Sequence, residues 1–167
     1  AWKRFTHPRS ILLSNQLTEL GYKMNYTDLQ AALGRVQLRR LPQFAARRSR
    51  IARIYRDGVR RLPRAPTLQK DCGEDHHAKH LFTVRFPFDQ LKLGREDLIL
   101  ALRARNIGAT THYAPLHTMP LYRGKRPIPE LPHTNLIAKS IVTLPISASM
   151  TTGDAHEVID HLHDILR

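Results

Sequence analysis

The run from Thr27 to Leu62 constrains the fold more than any other part of this 167-residue chain. Thr27 and Gln30 have the spacing of a capping box: the Thr hydroxyl takes a free backbone N–H and the Gln side chain reaches back. Leu29, Ala32, Leu33 and Val36 follow at i, i+3, i+4 and i+7, which predicts a helix with one apolar stripe, ending near Leu41. Pro42 cannot continue the hydrogen-bond ladder without a kink or a break. A second helix is expected to Leu62, with Phe44, Ile51, Ile54, Tyr55 and Leu62 on its apolar face, ended by Pro63 and Pro66. The first turn of a helix carries unpaired N–H groups and a partial positive charge, which suits an anion. Lys23 and Asn25 stand just ahead of that turn and can supply a point charge and an amide donor. The same residues also describe an ordinary capped helix beside a solvated lysine.

Downstream, the pattern is mixed. Residues 63–79 are polar and turn-rich and read as an exposed loop. In the run from His80 to Phe86, Phe82, Val84 and Phe86 alternate, the mark of a strand buried on one face. Arg95-Glu96-Asp97 opens a helix with acids in its first turn, and Asn106 ends it at a left-handed cap. Ile107 to Tyr113 reads as a short strand, completing a β-α-β unit. A short helix is expected within 131–140, then a strand over Ile141 to Ile146 edged by Pro145. Thr151 and Asp154 have capping-box spacing at the start of a last helix, whose apolar face is Ala155, Val158, Ile159, Leu162 and Ile165. The expected class is α/β (α+β): a long kinked helix pair, then a small mixed or antiparallel sheet of about three strands covered by helices.

Charge needs an explanation. The net charge is +13, Arg outnumbers Lys 20 to 7, and ten of the arginines lie between Arg35 and Arg61. Such a stretch can bind nucleic acid, but only Phe44 and Tyr55 are available there for stacking, and no nucleic-acid motif is present. A solvated helix face, or a surface meeting an acidic segment, is the favoured explanation, and nucleic-acid binding is the minority reading. His76, His77 and His80 match no zinc spacing, and neither do His156 and His161, five apart. One cysteine, Cys72, excludes an internal disulfide and fits a reducing compartment. No apolar run approaches the ~20 residues that span a bilayer, and the first residues lack a signal-peptide core. These features read as cytoplasmic. The chain begins without an initiator Met, which reads as a fragment or a processed product.

The order Gly21-Tyr22-Lys23-x-Asn25-x-Thr27-Asp28-x-Gln30-Ala31-Ala32-x-Gly34-x-x-Gln37-Leu38 resembles the signature of the pyridoxal-phosphate-dependent sugar aminotransferases of the DegT/StrS type. Many members read Gly-Tyr-Asn-x-Arg-Met before the Thr/Ser-Asp. Lys23 and Asn25 resemble instead the variant of enzymes that aminate 4-keto sugar nucleotides. The block His112-Tyr113-x-Pro115-x-His117-x-x-Pro120-x-Tyr122 is similar to the family's loop at the active-site mouth.

The resemblance covers only the C-terminal part of the family. It implies that residues 1–26 end the large catalytic domain, 27–62 are linking helices and 63–167 form the small domain. It implies a homodimer in which Asn25, with Lys23, holds the phosphate of the neighbouring subunit's pyridoxal phosphate. His112, Tyr113 and His117 would contact substrate, a keto sugar nucleotide aminated from glutamate. His80 would pack near the domain junction. The Schiff-base lysine would lie upstream of residue 1, since none of lysines 3, 23, 70, 79, 92, 125 and 139 sits in the required strand-end context. No catalytic residue and no metal ligand is assigned to this chain. Two other readings compete: a basic nucleic-acid-binding module, which a steep salt dependence of DNA binding would reveal, and a non-catalytic regulatory homologue, which the upstream sequence would separate.

Overall fold

The structure is a computed structural model and describes residues 25–70, 77–122 and 130–167. Lys23, Cys72, His76 and the Pro127–Pro129 stretch lie outside the described residues. Four helices and a three-stranded antiparallel sheet follow in the order α1 (Asp28–Val59), β1 (Thr67–Leu68), β2 (Phe82–Arg85), α2 (Arg95–Arg103), α3 (Pro132–Ser140), β3 (Ile141–Leu144) and α4 (Thr152–Leu166). The chain divides into two compact units, residues 1–41 and 42–167.

In the first unit the capping box forms as expected. The Thr27 N–H donates to Gln30 Oε1 at 3.0 Å, and the Gln30 N–H donates to Thr27 Oγ1 at 3.2 Å. The apolar stripe is present but open: Leu29 is 82% exposed, and Leu33 and Val36 are exposed too. The two helices expected on either side of Pro42 are joined into one, α1. Proline removes a single N–H from the ladder, and long stretches of good helix formers on both sides carry the helix through it.

The second unit holds the core. α1 contributes Ile51, Ala52, Tyr55 and Val59, with Leu62 just beyond it; Phe44 and Ile54 are only partly covered. β2 alternates as expected, burying Phe82 and Val84 while Arg85 is exposed, and Phe86 continues the buried side. It pairs with β3 in the register Phe82↔Leu144, Thr83↔Thr143, Val84↔Val142 and Arg85↔Ile141. β1 adds Thr67↔Arg85 and Leu68↔Val84 on the other edge of β2. Two residues are too few to show a period, so this strand was hidden in a segment read as loop.

The expected strand from Ile107 to Tyr113 is reduced to one bridge, Thr110↔Thr143. Hydrogen bonds join these residues both ways, at 3.1 and 2.7 Å. The chain then leaves the sheet, so no β-α-β unit forms. Asn106 does adopt the left-handed conformation, φ 62°, where its N–H closes on the Arg103 carbonyl. Thr151 and Asp154 form the second capping box, at 2.8 and 3.1 Å. α4 buries Ala155, Val158, Ile159, Leu162 and Leu166; Ile165, expected on that face, is only partly covered.

Tyr55 ties these layers together. It is fully buried, its ring lies 5.1 Å from that of Phe82, and its hydroxyl donates to the Pro145 carbonyl at 2.7 Å. Burial, and secondarily the charge of Asp154, push its ionisation well above the ordinary 10.0. The unfolded chain therefore releases this proton first. Stability from Tyr55 is whole below about pH 10 and declines as pH rises above it. Tyr55→Phe should lose about 1–2 kcal/mol at neutral pH and flatten the alkaline fall, read by urea unfolding between pH 7 and 11. A wild-type curve as flat as the variant's would contradict this.

Gly58 lets α1 approach α4. A Cβ there would lie 2.6 Å from Cγ1 and Cγ2 of Ile159, a buried β-branched side chain, so something must shift. Ala gains about 1 kcal/mol of helix propensity over Gly, but the clash costs about 1–3 kcal/mol. Gly58→Ala should therefore destabilise the protein, and adding Ile159→Ala should leave the combined loss smaller than the sum of the single losses. Strict additivity in denaturant unfolding would count against that contact.

Candidate functional site

The loop after the Thr110 bridge carries the three residues expected to meet substrate. His112 is half-buried and Tyr113 is 70% exposed; their rings meet edge-on, with centroids 4.7 Å apart at 84°. They nevertheless line different clefts. His112 borders a cleft of about 400 Å³ with Thr67, Gln69, Thr83 and Arg85. Tyr113 borders one of about 210 Å³ with Arg95, Thr118, Asn135 and Lys139. Nδ1 of His112 is buried and has no hydrogen-bond partner among the described residues.

His117 sits in a 3-10 turn, Leu116–Thr118, closed by the Thr118 N–H and hydroxyl on the Pro115 carbonyl at 3.0 and 2.7 Å. Its Nε2 lies 2.9 Å from Asn135 Oδ1 of α3. One imidazole nitrogen is thus spent on holding the loop to α3. Arg95 also donates to the Ala138 carbonyl, so α2, α3 and the loop share one polar seam.

In the first unit, Asn25 is exposed, two residues before the capping Thr27. The box occupies the Thr27 N–H and hydroxyl, so an anion beside Asn25 would rely on side-chain donors and the remaining first-turn N–H groups. Asp28, in that turn, already offsets part of the helix dipole.

Nδ1 of His77 accepts the Lys79 N–H at 2.8 Å, His80 is exposed, and His161 lies 3.8 Å from Glu157. Among the described residues no group of three His, Cys, Asp or Glu could hold a metal ion. No described helix is long and apolar enough to cross a membrane.

The arginine excess is in part structural. Arg47 donates to the Ala148 carbonyl at 3.3 Å, Arg48 to Ala78 at 2.8 Å and Arg56 to Gln69 at 3.2 Å. Arg103 and Arg105 bond the carbonyls of Ala109 and Ala101. These guanidinium groups satisfy loop and helix-end carbonyls, which have no ladder partner of their own. Sequence reasoning missed this use because charge counts do not show which carbonyls a fold leaves open. It also missed Arg85, Thr83 and Asn135 as cleft residues. The alternation of β2 was a usable signal for the first two, since it fixes which face they occupy.

The model of the DegT/DnrJ/EryC1/StrS aminotransferase family matches residues 1–163. Among solved structures, the aminotransferase TlmJ from Streptoalloteichus hindustanus is 27% identical, with a TM-score of 0.75, over 89% of this chain and 39% of its own. DesV from S. venezuelae, solved with a ketimine intermediate, is 29% identical with a TM-score of 0.77, over 96% of this chain and 42% of its own. Helicobacter pylori PseC, an aminotransferase of pseudoaminic acid biosynthesis, shares the fold at 20% identity and a TM-score of 0.78, over 93% of this chain and 41% of its own. The chain thus spans about two-fifths of the length of the solved structures it matches. By a match that takes in nearly all of its residues, this chain belongs to the DegT/DnrJ/EryC1/StrS aminotransferase family.

Proposed function

We infer that this chain is the C-terminal part of a pyridoxal-phosphate-dependent aminotransferase that moves an amino group from glutamate to a keto sugar nucleotide. The observation that carries the reading is the pairing of a family match over residues 1–163 with coverage of only 39–42% of the solved relatives. In this reading residues 1–26 end the large domain, 27–62 link the two domains and 63–167 are the small domain. Pyridoxal phosphate, bound in the full enzyme, supplies an electron sink that lets nitrogen pass between donor and acceptor.

This chain's own residues bind and orient. The Asn25 amide, exposed ahead of a capped helix, donates to the cofactor phosphate of the neighbouring subunit, and Lys23 adds a point charge. That role demands a homodimer. The Tyr113 hydroxyl and the His112 ring offer hydrogen bonds to sugar hydroxyls or nucleotide phosphate. His117 acts through its bond to Asn135 by holding the loop in place. Of the described lysines, 70, 92 and 139 are exposed and Lys79 is buried at a loop turn, its N–H on His77. None is assigned as the reacting amine.

Two outcomes test the reading. Asn25→Ala in the full-length enzyme should weaken cofactor retention about tenfold or more, the loss of one charge-assisted hydrogen bond. Equal retention after dialysis would remove Asn25 from the site. The 167-residue chain alone, mixed with pyridoxal phosphate, glutamate and a keto sugar nucleotide, should yield no amino sugar by mass spectrometry. Product formation would overturn the assignment of the reactive lysine to a missing segment.

A further inference from the structure

The sheet has a second face that the core does not use. β2 turns Thr83 and Arg85 away from the buried Phe82 and Val84. The register sets Thr67 and Ile141 on either side of Arg85, and Thr143 beside Thr83, with the two Thr hydroxyls 3.4 Å apart. These residues, except Thr143, line the cleft of about 400 Å³ that also holds Gln69 and His112. That volume lies within the range of small-molecule sites.

Arg85 is the arginine that the central strand places on this cleft. Several arginines of α1 and α2 hold backbone carbonyls. The Arg85 side chain makes no ion pair or hydrogen bond among the described residues. No carboxylate lines its cleft. A neighbouring cleft of about 470 Å³, which Arg85 also lines, adds Lys139, and Asp89 there does not come within ion-pair range of Arg85. The apolar wall is unfinished: Ile137 of α3 is 48% exposed while Ile141 is buried.

A guanidinium projecting from the central strand of a sheet is positioned by backbone pairing on both edges. Its planar fork matches carboxylate or phosphate oxygens, and Thr hydroxyls and a Gln amide beside it add neutral donors. We propose that this cleft binds a small organic oxyanion, its charged end on Arg85 with Thr83 and Gln69 and its body against Ile137 and Ile141. The proposal goes beyond the aminotransferase reading and shares only His112 with it. It needs neither cofactor nor partner subunit.

The test titrates the 167-residue chain at low salt with glutarate and, separately, with inorganic phosphate, by calorimetry and by amide chemical shifts. Saturable one-site binding is expected for at least one probe, with shifts centred on β1, β2 and His112. The preferred probe distinguishes a carboxylate from a phosphate ligand. Arg85→Leu should weaken binding at least tenfold. Arg85→Lys, which keeps the charge and loses the fork, should weaken it less, and Lys92→Gln, in a different cleft, should leave it unchanged. Unfolding curves for each variant separate a lost site from a lost fold. Absence of saturable binding by either probe, or equal binding by a folded Arg85→Leu, would overturn the proposal. A failure here leaves the Asn25 result untouched, and the converse also holds.

Discussion

The second unit depends on how α1 is seated, and that seating depends on Tyr55. Its ring packs on Phe82 of the central strand, and its hydroxyl meets the carbonyl of Pro145, the residue just after β3. A single side chain therefore joins the helix, β2 and the exit of β3. Proline has no N–H to offer a ladder, and its carbonyl lies past the last β3 pairing, so a partner from outside the sheet is needed. Gly58 then allows Ile159 of α4 to close against the same helix. The geometry of the cleft face follows, because β2 carries Phe82 and Val84 to the core and Thr83 and Arg85 to the opposite side.

The basic character of the chain acquires a different meaning in this context. Several arginines on α1 and α2 reach over short distances to carbonyls of loops that contain few repeating hydrogen bonds. Their planar forks suit this work better than lysine would, and the bias of 20 Arg to 7 Lys agrees with that use. Fewer guanidinium groups are then left to face a nucleic-acid phosphate backbone. The loop of His112, Tyr113 and His117 benefits from the same economy. It is pinned at one end by the Thr110 bridge and at the other by Asn135, so its rings are presented from a fixed frame.

Local signals in the chain were legible where the physics is local. Both capping boxes, the left-handed Asn106, the period-2 burial of β2 and the apolar face of α4 depend on residues within one or two turns of each other. The errors came where distant parts decide. Ile107–Tyr113 became a single bridge because only Thr110 meets β3. Thr67–Leu68 became a strand because β2 offered it an edge. The candidate site divided in the same manner. The loop motif was visible as residues, but that His112 and Tyr113 would face separate clefts was not, and neither was the use of His117 on Asn135.

The linear order of residues by itself determined the helices, the caps, the inward and outward sides of β2, and the family signature, since each is written in spacings of two to four residues or in a contiguous motif. Tertiary structure alone decided which arginines are spent on carbonyls and where Arg85 stands on the sheet. It also decided which loop residues share a cleft, and how a two-residue strand completes a sheet. The physical reason is that these outcomes rest on contacts between residues tens of positions apart, whose geometry exists only after the core has closed around Tyr55.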